Sequence, residues 1–100
     1  MRELKFRVWY KTMHQYRHFA LQKGVSVSIG ADLEIEQYTD LKDKNGKEIY
    51  EGDIVSTSSV GTWSIEERRG CFWVGKFALF GQNDYCEVIG NIHENAELLD

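Results

Sequence analysis

Along this chain the hydrophobic positions alternate with polar ones far more often than they recur at helical spacing. Leu4-Lys5-Phe6-Arg7-Val8-Trp9-Tyr10 places Leu4, Phe6, Val8 and Tyr10 on one face, with Lys5, Arg7, Trp9 and Lys11 on the other. That is the signature of a strand with one core face. Trp9 is the exception on the basic face, so it packs under another element or joins an interface. Residues 11–24 are ambiguous, and Tyr16 to Gln22 reads as a strand or a short helix. Val25-Ser26-Val27-Ser28-Ile29 alternates most clearly of all. Gly30-Ala31-Asp32 then supplies a turn, and Leu33 to Tyr38 returns with Leu33 and Ile35 inward, so residues 25–38 predict a hairpin.

The middle of the chain is punctuated by turns. Asp43-Lys44-Asn45-Gly46 is a tight-turn sequence, and Asn45-Gly46 is the pair that most readily takes positive φ at both central positions of a type I′ hairpin. Glu51-Gly52-Asp53 follows as a second turn, and Asp53 to Thr57 reads as a strand. These five residues, Asp43, Asn45, Gly46, Gly52 and Asp53, are expected to be structural. Thr62 to Glu66 is a strand ending in the charged bend Glu67-Arg68-Arg69-Gly70. Cys71 to Phe80 is the most aromatic segment, with Gly75 at a bulge or a close backbone crossing. Gly81 to Asp84 is a turn, and Tyr85 to Ile92 is the last strand. Asn95 is placed to cap a helical turn, Ala96 to Leu99. Short strands separated by turns predict a mainly β sandwich or small barrel in a single domain spanning 1–100.

Composition narrows the function classes. The chain has 100 residues, no proline, two cysteines and a formal net charge of −4. Residues 1–23 carry +5 and residues 81–100 carry −5, charges that can neutralise one another within a molecule or between subunits. Apolar runs are too short to span a bilayer, so no membrane partner is expected. Cys71 and Cys86 match no zinc spacing, and with cysteine poverty they indicate reduced thiols in a reducing cytosol. His14 and His18 sit four apart, and with His93 they leave any zinc site incomplete. A calcium loop built on Asp43-Lys44-Asn45-Gly46 fails, because Leu41 and Gly52 would occupy the positions of two charged ligands. No nucleophile elbow or P-loop occurs, so no catalytic residue, cofactor or metal is assigned and a non-enzyme is expected.

Three blocks carry a resemblance: Arg2 to Trp9, Gln37 to Val55, and Val88 to Leu99. In that order they resemble the YopX family of small phage and prophage proteins, which has no assigned activity. The resemblance implies an SH3-like β barrel with a flanking hairpin and a short C-terminal helical turn, working in the cytoplasm of a bacterial host. Asp40, His93 and Ala96 stand where that family usually has glycine, tyrosine and proline. Asp40 is nonetheless compatible with a left-handed backbone. A protein-interaction module is the function the fold implies, with an unidentified host or phage protein as partner. The alternative partner is nucleic acid, bound on Lys5, Arg7, Trp9 and Lys11, a basic face with an aromatic in it. Overall acidity weighs against that alternative. Three tryptophans in so short a chain also predict a homo-oligomer.

Overall fold

The computed structural model describes residues 5–20 and 33–99. Its elements are β1 (Lys5–Tyr10), β2 (Gln15–Ala20), β3 (Leu33–Lys42), β4 (Glu48–Tyr50), β5 (Asp53–Thr57), β6 (Gly61–Arg68), β7 (Cys71–Val74), β8 (Phe77–Ala78) and β9 (Cys86–Asn91), with 3-10 turns at Asn83–Tyr85 and Ala96–Leu99. The fold is mainly β, as the alternation predicts. The chain divides into two compact units, the first ending at Tyr38 and the second beginning at Thr39.

In the first unit β1 lies between β2 and β3, antiparallel to both. Within the ambiguous segment 11–24, Gln15–Ala20 is a strand that pairs residue by residue with β1, and residues 21–24 lie outside the described residues. His14 makes the return possible with a φ of 53° and an N–H donated to Tyr10 O at 2.7 Å. The predicted 25–38 hairpin is only partly testable: its first arm and its turn lie outside the described residues. Its second arm is β3, but with the opposite facing. Ile35 is exposed, whereas Glu36 and Tyr38 are buried. Register explains the inversion. Glu36 is paired across from Arg7, so the two ionic side chains share a face and each compensates the other's desolvation.

The second unit is a sheet in the order β8-β7-β6-β5-β9, with β4 beside the end of β3. This curled sheet is the SH3-like part of the fold. Its core is Ile49, Val55, Ile65, Val74, Leu79 and Cys86, with Leu41, Val60, Phe72 and Val88 packed against them. The β5–β9 register shifts so that Ile54 faces Gly90 and Val55 faces Val88, leaving Ile89 as a bulge.

The turns of this unit depart from expectation in an instructive way. Gly46 has φ 81°, but Asn45 does not take positive φ. Gly46 N–H donates to Asp43 O at 3.0 Å and Asp43 N–H donates to Lys47 O at 2.8 Å, the pattern of a type I turn closed by a left-handed glycine. Asp43 selects it, because its Oδ1 accepts both Asn45 N–H and Lys47 N–H at 2.9 Å. The two-residue turn with positive φ at both centres falls instead at Arg69 (55°) and Gly70 (80°), between the paired Arg68 and Cys71. Asp40 takes a left-handed backbone, with φ 70°.

Gly75 is not a bulge. It opens the two-residue turn between Val74 and Phe77 with φ 62°, and a Cβ there would meet the Trp63 ring at 3.0 Å. Nor is it a backbone crossing: what approaches Gly75 closely is the Trp63 indole. Asn95 does not cap the final turn with its side chain. Its Oδ1 accepts the N–H of Asn91 at 3.1 Å, while its backbone oxygen accepts Leu98 N–H at 2.9 Å.

A first prediction follows from Gly46. No heavy atom lies within 4 Å of the position a Cβ would take, so only the backbone resists substitution. Gly46→Val should lower stability by more than about 1 kcal/mol. Gly46→Asn should lower it less, because asparagine tolerates left-handed φ. Equal losses in urea denaturation would contradict this account.

Candidate functional site

The four residues of the predicted basic face are found apart in character. Arg7 and Trp9 are buried. Arg7 Nε donates to Glu36 Oε1 at 2.8 Å, and Tyr16 O–H donates to the same oxygen at 3.0 Å. The Arg7 guanidinium also stacks over the Tyr16 ring at 4.2 Å. Trp9 packs edge-on against Tyr16 and against His14, each with ring centroids 4.8 Å apart. Lys5 reaches over the Tyr38 ring at 5.5 Å, and Lys11 Nζ lies 3.5 Å from Glu34 Oε1. The face therefore does not present one open cationic platform. Glu34 and Glu36 on β3 set carboxylates against it, and the tryptophan is inside. Sequence reading missed Glu36 and Tyr16, whose partnership depends on strand pairings across 20 to 29 residues of chain.

The five turn residues all hold structure. Asp43 is buried, and besides the two N–H groups already named its Oδ2 accepts Val88 N–H at 2.9 Å. One carboxylate thus fixes the 43–47 turn and ties it to β9. Burial alone would raise its pKa, but the N–H groups of Val88, Lys47 and Asn45 and the charge of Lys47 outweigh burial and hold it below the ordinary 3.8. Asn45 Nδ2 donates to Glu87 Oε2 at 3.3 Å. Asp53, also buried, accepts Tyr50 N–H at 2.8 Å, while Gly52 at φ 86° donates to Ile65 O and accepts from Ile92 N–H, both at 2.9 Å.

The cysteines are both free, but they are not alike: Cys71 is exposed and Cys86 is buried. Burial, with the nearby Asp43 charge, pushes the Cys86 thiol up. A thiol reagent added to native protein should therefore label Cys71 first, and Cys86 only as the chain unfolds. Equal labelling rates under native conditions would refute this, and so would a gain of two hydrogens on reduction, seen by mass spectrometry.

The second unit exposes four large aromatic rings. Trp63 is 43% exposed, Phe77 49%, Phe80 82% and Tyr85 64%. Trp63 shares the inward side of β6 with buried Ile65, and it lies over the Gly75 turn, its Nε1 donating to Val60 O. Trp73 takes the opposite face, half-buried, donating to Arg68 O at 3.2 Å, while Arg68 reaches across it to Gly75 O at 2.7 Å. Among the described residues no helix is long and apolar enough to cross a membrane.

These features define a small, mainly β protein whose buried acids Asp43 and Asp53 serve its turns and whose surface exposes large rings. The profile described as YopX protein matches residues 20–100, and the chain belongs to the YopX family. The resemblance carried by the central and C-terminal blocks is thus borne out, while the first block precedes the matched region. The chain is also similar to protein EF1440 from Enterococcus faecalis, known from a crystal structure. The two are 25% identical over 97% of this chain and 98% of that chain, with a TM-score of 0.72. Among the curated proteins none matches.

Proposed function

We propose that this YopX-family protein is a non-catalytic protein-interaction module. In this reading it is encoded by a phage or prophage, acts in the bacterial cytoplasm without a cofactor, and engages a host or phage protein. The observation that carries the proposal is the set of exposed rings on the second unit, Trp63, Phe77, Phe80 and Tyr85. Large aromatics left in water are costly to a monomer and are enriched where proteins meet. The buried acids Asp43 and Asp53 support the same reading, because backbone N–H groups already occupy them. SH3-like folds serve many interactions, which gives the class by analogy and not the partner.

The test is affinity capture from bacterial host lysate with and without nuclease, using the wild-type chain and a Trp63→Ala/Phe80→Ala variant. A stoichiometric protein that survives nuclease and is lost with the variant is the expected result. Recovery that nuclease abolishes would replace this reading with nucleic-acid binding, and turnover of a small molecule by the purified chain would replace it with an enzyme.

A further inference from the structure

Asparagine occurs at 45, 83, 91 and 95, and only Asn45 is followed by glycine. An asparagine before glycine is prone to lose its side-chain amide, because no side chain shields the next backbone nitrogen. The reaction is intramolecular. Gly46 N gives up its proton and attacks Asn45 Cγ, the N–Cγ bond forms, the Cγ–Nδ2 bond breaks, and ammonia leaves. Water then opens the cyclic imide at either carbonyl, giving aspartate or isoaspartate. Asn45 and Gly46 are both exposed, and no heavy atom lies within 4 Å of the position a Gly46 Cβ would take, so water has access. Yet the reacting groups are engaged. Gly46 N–H donates to Asp43 O at 3.0 Å. Asn45 Nδ2, the departing group, donates to Glu87 Oε2 at 3.3 Å. Asp43 Oδ1 accepts the N–H groups of Asn45 and Lys47, one on each side of Gly46, both at 2.9 Å. Carboxylate charge therefore lies beside the nitrogen that must become anionic, and opposes its ionisation.

We propose that Asn45-Gly46 is a deamidation site gated by its own turn, closed while Asp43 holds residues 43–47 and modified by water when that turn opens. The turn is exposed, so it can open locally while the sheet stays folded. The reaction also prevents reclosure. Aspartate at position 45 sets a carboxylate against Glu87 where Nδ2 had donated, which turns an attraction into a like-charge contact. Isoaspartate carries the backbone through its side chain and lengthens it by one carbon, so Gly46 N–H no longer meets Asp43 O in register. The net exchange is one water for one ammonia, with neither an enzyme nor a cofactor. Each opening thus carries a chance of permanent change. Asp43 also accepts Val88 N–H at 2.9 Å, so the carboxylate that closes the site is the one that ties it to β9. The inference goes beyond the partner proposed above and does not depend on it.

Peptide mapping by mass spectrometry, on the purified chain held for weeks in mildly alkaline buffer, decides the matter. Replacement of NH2 by OH at residue 45 is compared with the same chain unfolded in guanidinium chloride. The folded chain should be modified at least about tenfold more slowly than the unfolded one. Asp43→Asn removes the charge and one acceptor, and should speed modification of the folded chain severalfold well below its melting temperature. Should that variant fold poorly, Glu87→Ala still discriminates: it frees the departing amide at an exposed contact and should also speed the reaction. Ile65→Val, a core change outside the turn, should leave the rate as it is. The modified chain, separated by its added charge, should melt below the unmodified one. A folded chain modified as fast as the unfolded one overturns the proposal, as do Asp43→Asn and Glu87→Ala chains modified no faster than wild type. Equal acceleration by Ile65→Val and Asp43→Asn overturns it too, because the opening would then be global, and so does a modified chain with an unchanged melting temperature.

Discussion

Asp43→Ala should lower the unfolding free energy by about 3 kcal/mol or more, and the melting temperature by more than about 10 °C. Three backbone N–H groups, those of Asn45, Lys47 and Val88, donate to this one carboxylate at 2.9 Å. Alanine leaves all three to find other acceptors in a place where the side chain is buried. Each bond to a charged acceptor is worth more than an ordinary one, and the stranded donors add their desolvation cost. The loss is also non-local, because Val88 belongs to β9 while the turn joins β3 to β4. Asp43→Asn should recover part of the deficit, since its one carbonyl oxygen can accept but its amide nitrogen cannot. Acidification gives an independent reading. The folded-state pKa is lowered, first against burial and then through the three N–H groups and Lys47. The carboxylate's contribution is therefore complete above the unfolded value, 3.8, and is lost as pH falls through the lower folded value. Wild-type stability should decline from about pH 4 downward, and Asp43→Asn should decline less over the same interval. Parallel acid profiles for the two proteins would show that Asp43 is not the group that titrates.

The residues that were legible in sequence are those whose role is local. Asp43-Lys44-Asn45-Gly46 and Glu51-Gly52-Asp53 announce turns by composition, and β5 and β9 sit where alternation puts them. What stayed hidden was decided by contacts between distant residues. The chain marks Asn45-Gly46 as the natural type I′ pair, yet the Asp43 side chain takes the N–H groups on both sides of it and selects another turn. Arg69-Gly70 adopts the two-residue form instead, where Arg68 and Cys71 lock in register. Alternation in Leu33-Glu34-Ile35-Glu36 puts the apolar residues inward, but pairing with β1 sets Glu36 beside Arg7, and burial follows the ion pair. The basic face read from Lys5, Arg7, Trp9 and Lys11 failed as an open surface for the same reason: its carboxylates arrive from β3. The exposed rings were hidden too. Nothing in Phe77-Ala78-Leu79-Phe80 says that Leu79 is inside and Phe80 outside until β8 is seen to end the sheet.

Glu36→Ala should destabilise the first unit by about 3–5 kcal/mol, out of proportion to the few atoms removed. Both partners of the Arg7–Glu36 bridge are largely out of water, with side-chain exposures of 8% and 6%. Attraction at 2.8 Å offsets the desolvation of the two charges, and removing the carboxylate leaves the guanidinium's desolvation cost with much less to offset it. Tyr16→Phe deletes the second donor to the same oxygen and should cost about 1.5–3 kcal/mol, the worth of one hydrogen bond to a charged acceptor. The decisive variant is the double substitution Arg7→Met/Glu36→Leu. If the pair chiefly relieves its own desolvation, two apolar side chains of similar volume should restore most of what Glu36→Ala loses. The first unit would then be more stable than in the single variant despite carrying two changes. If the bridge instead holds β1 and β3 in register, the double variant should remain as unstable as Glu36→Ala. Hydrogen exchange at the amides of β1 and β3 then separates the cases. Restored protection throughout Lys5–Tyr10 and Leu33–Tyr38 supports the desolvation account, and protection still absent there in the double variant refutes it.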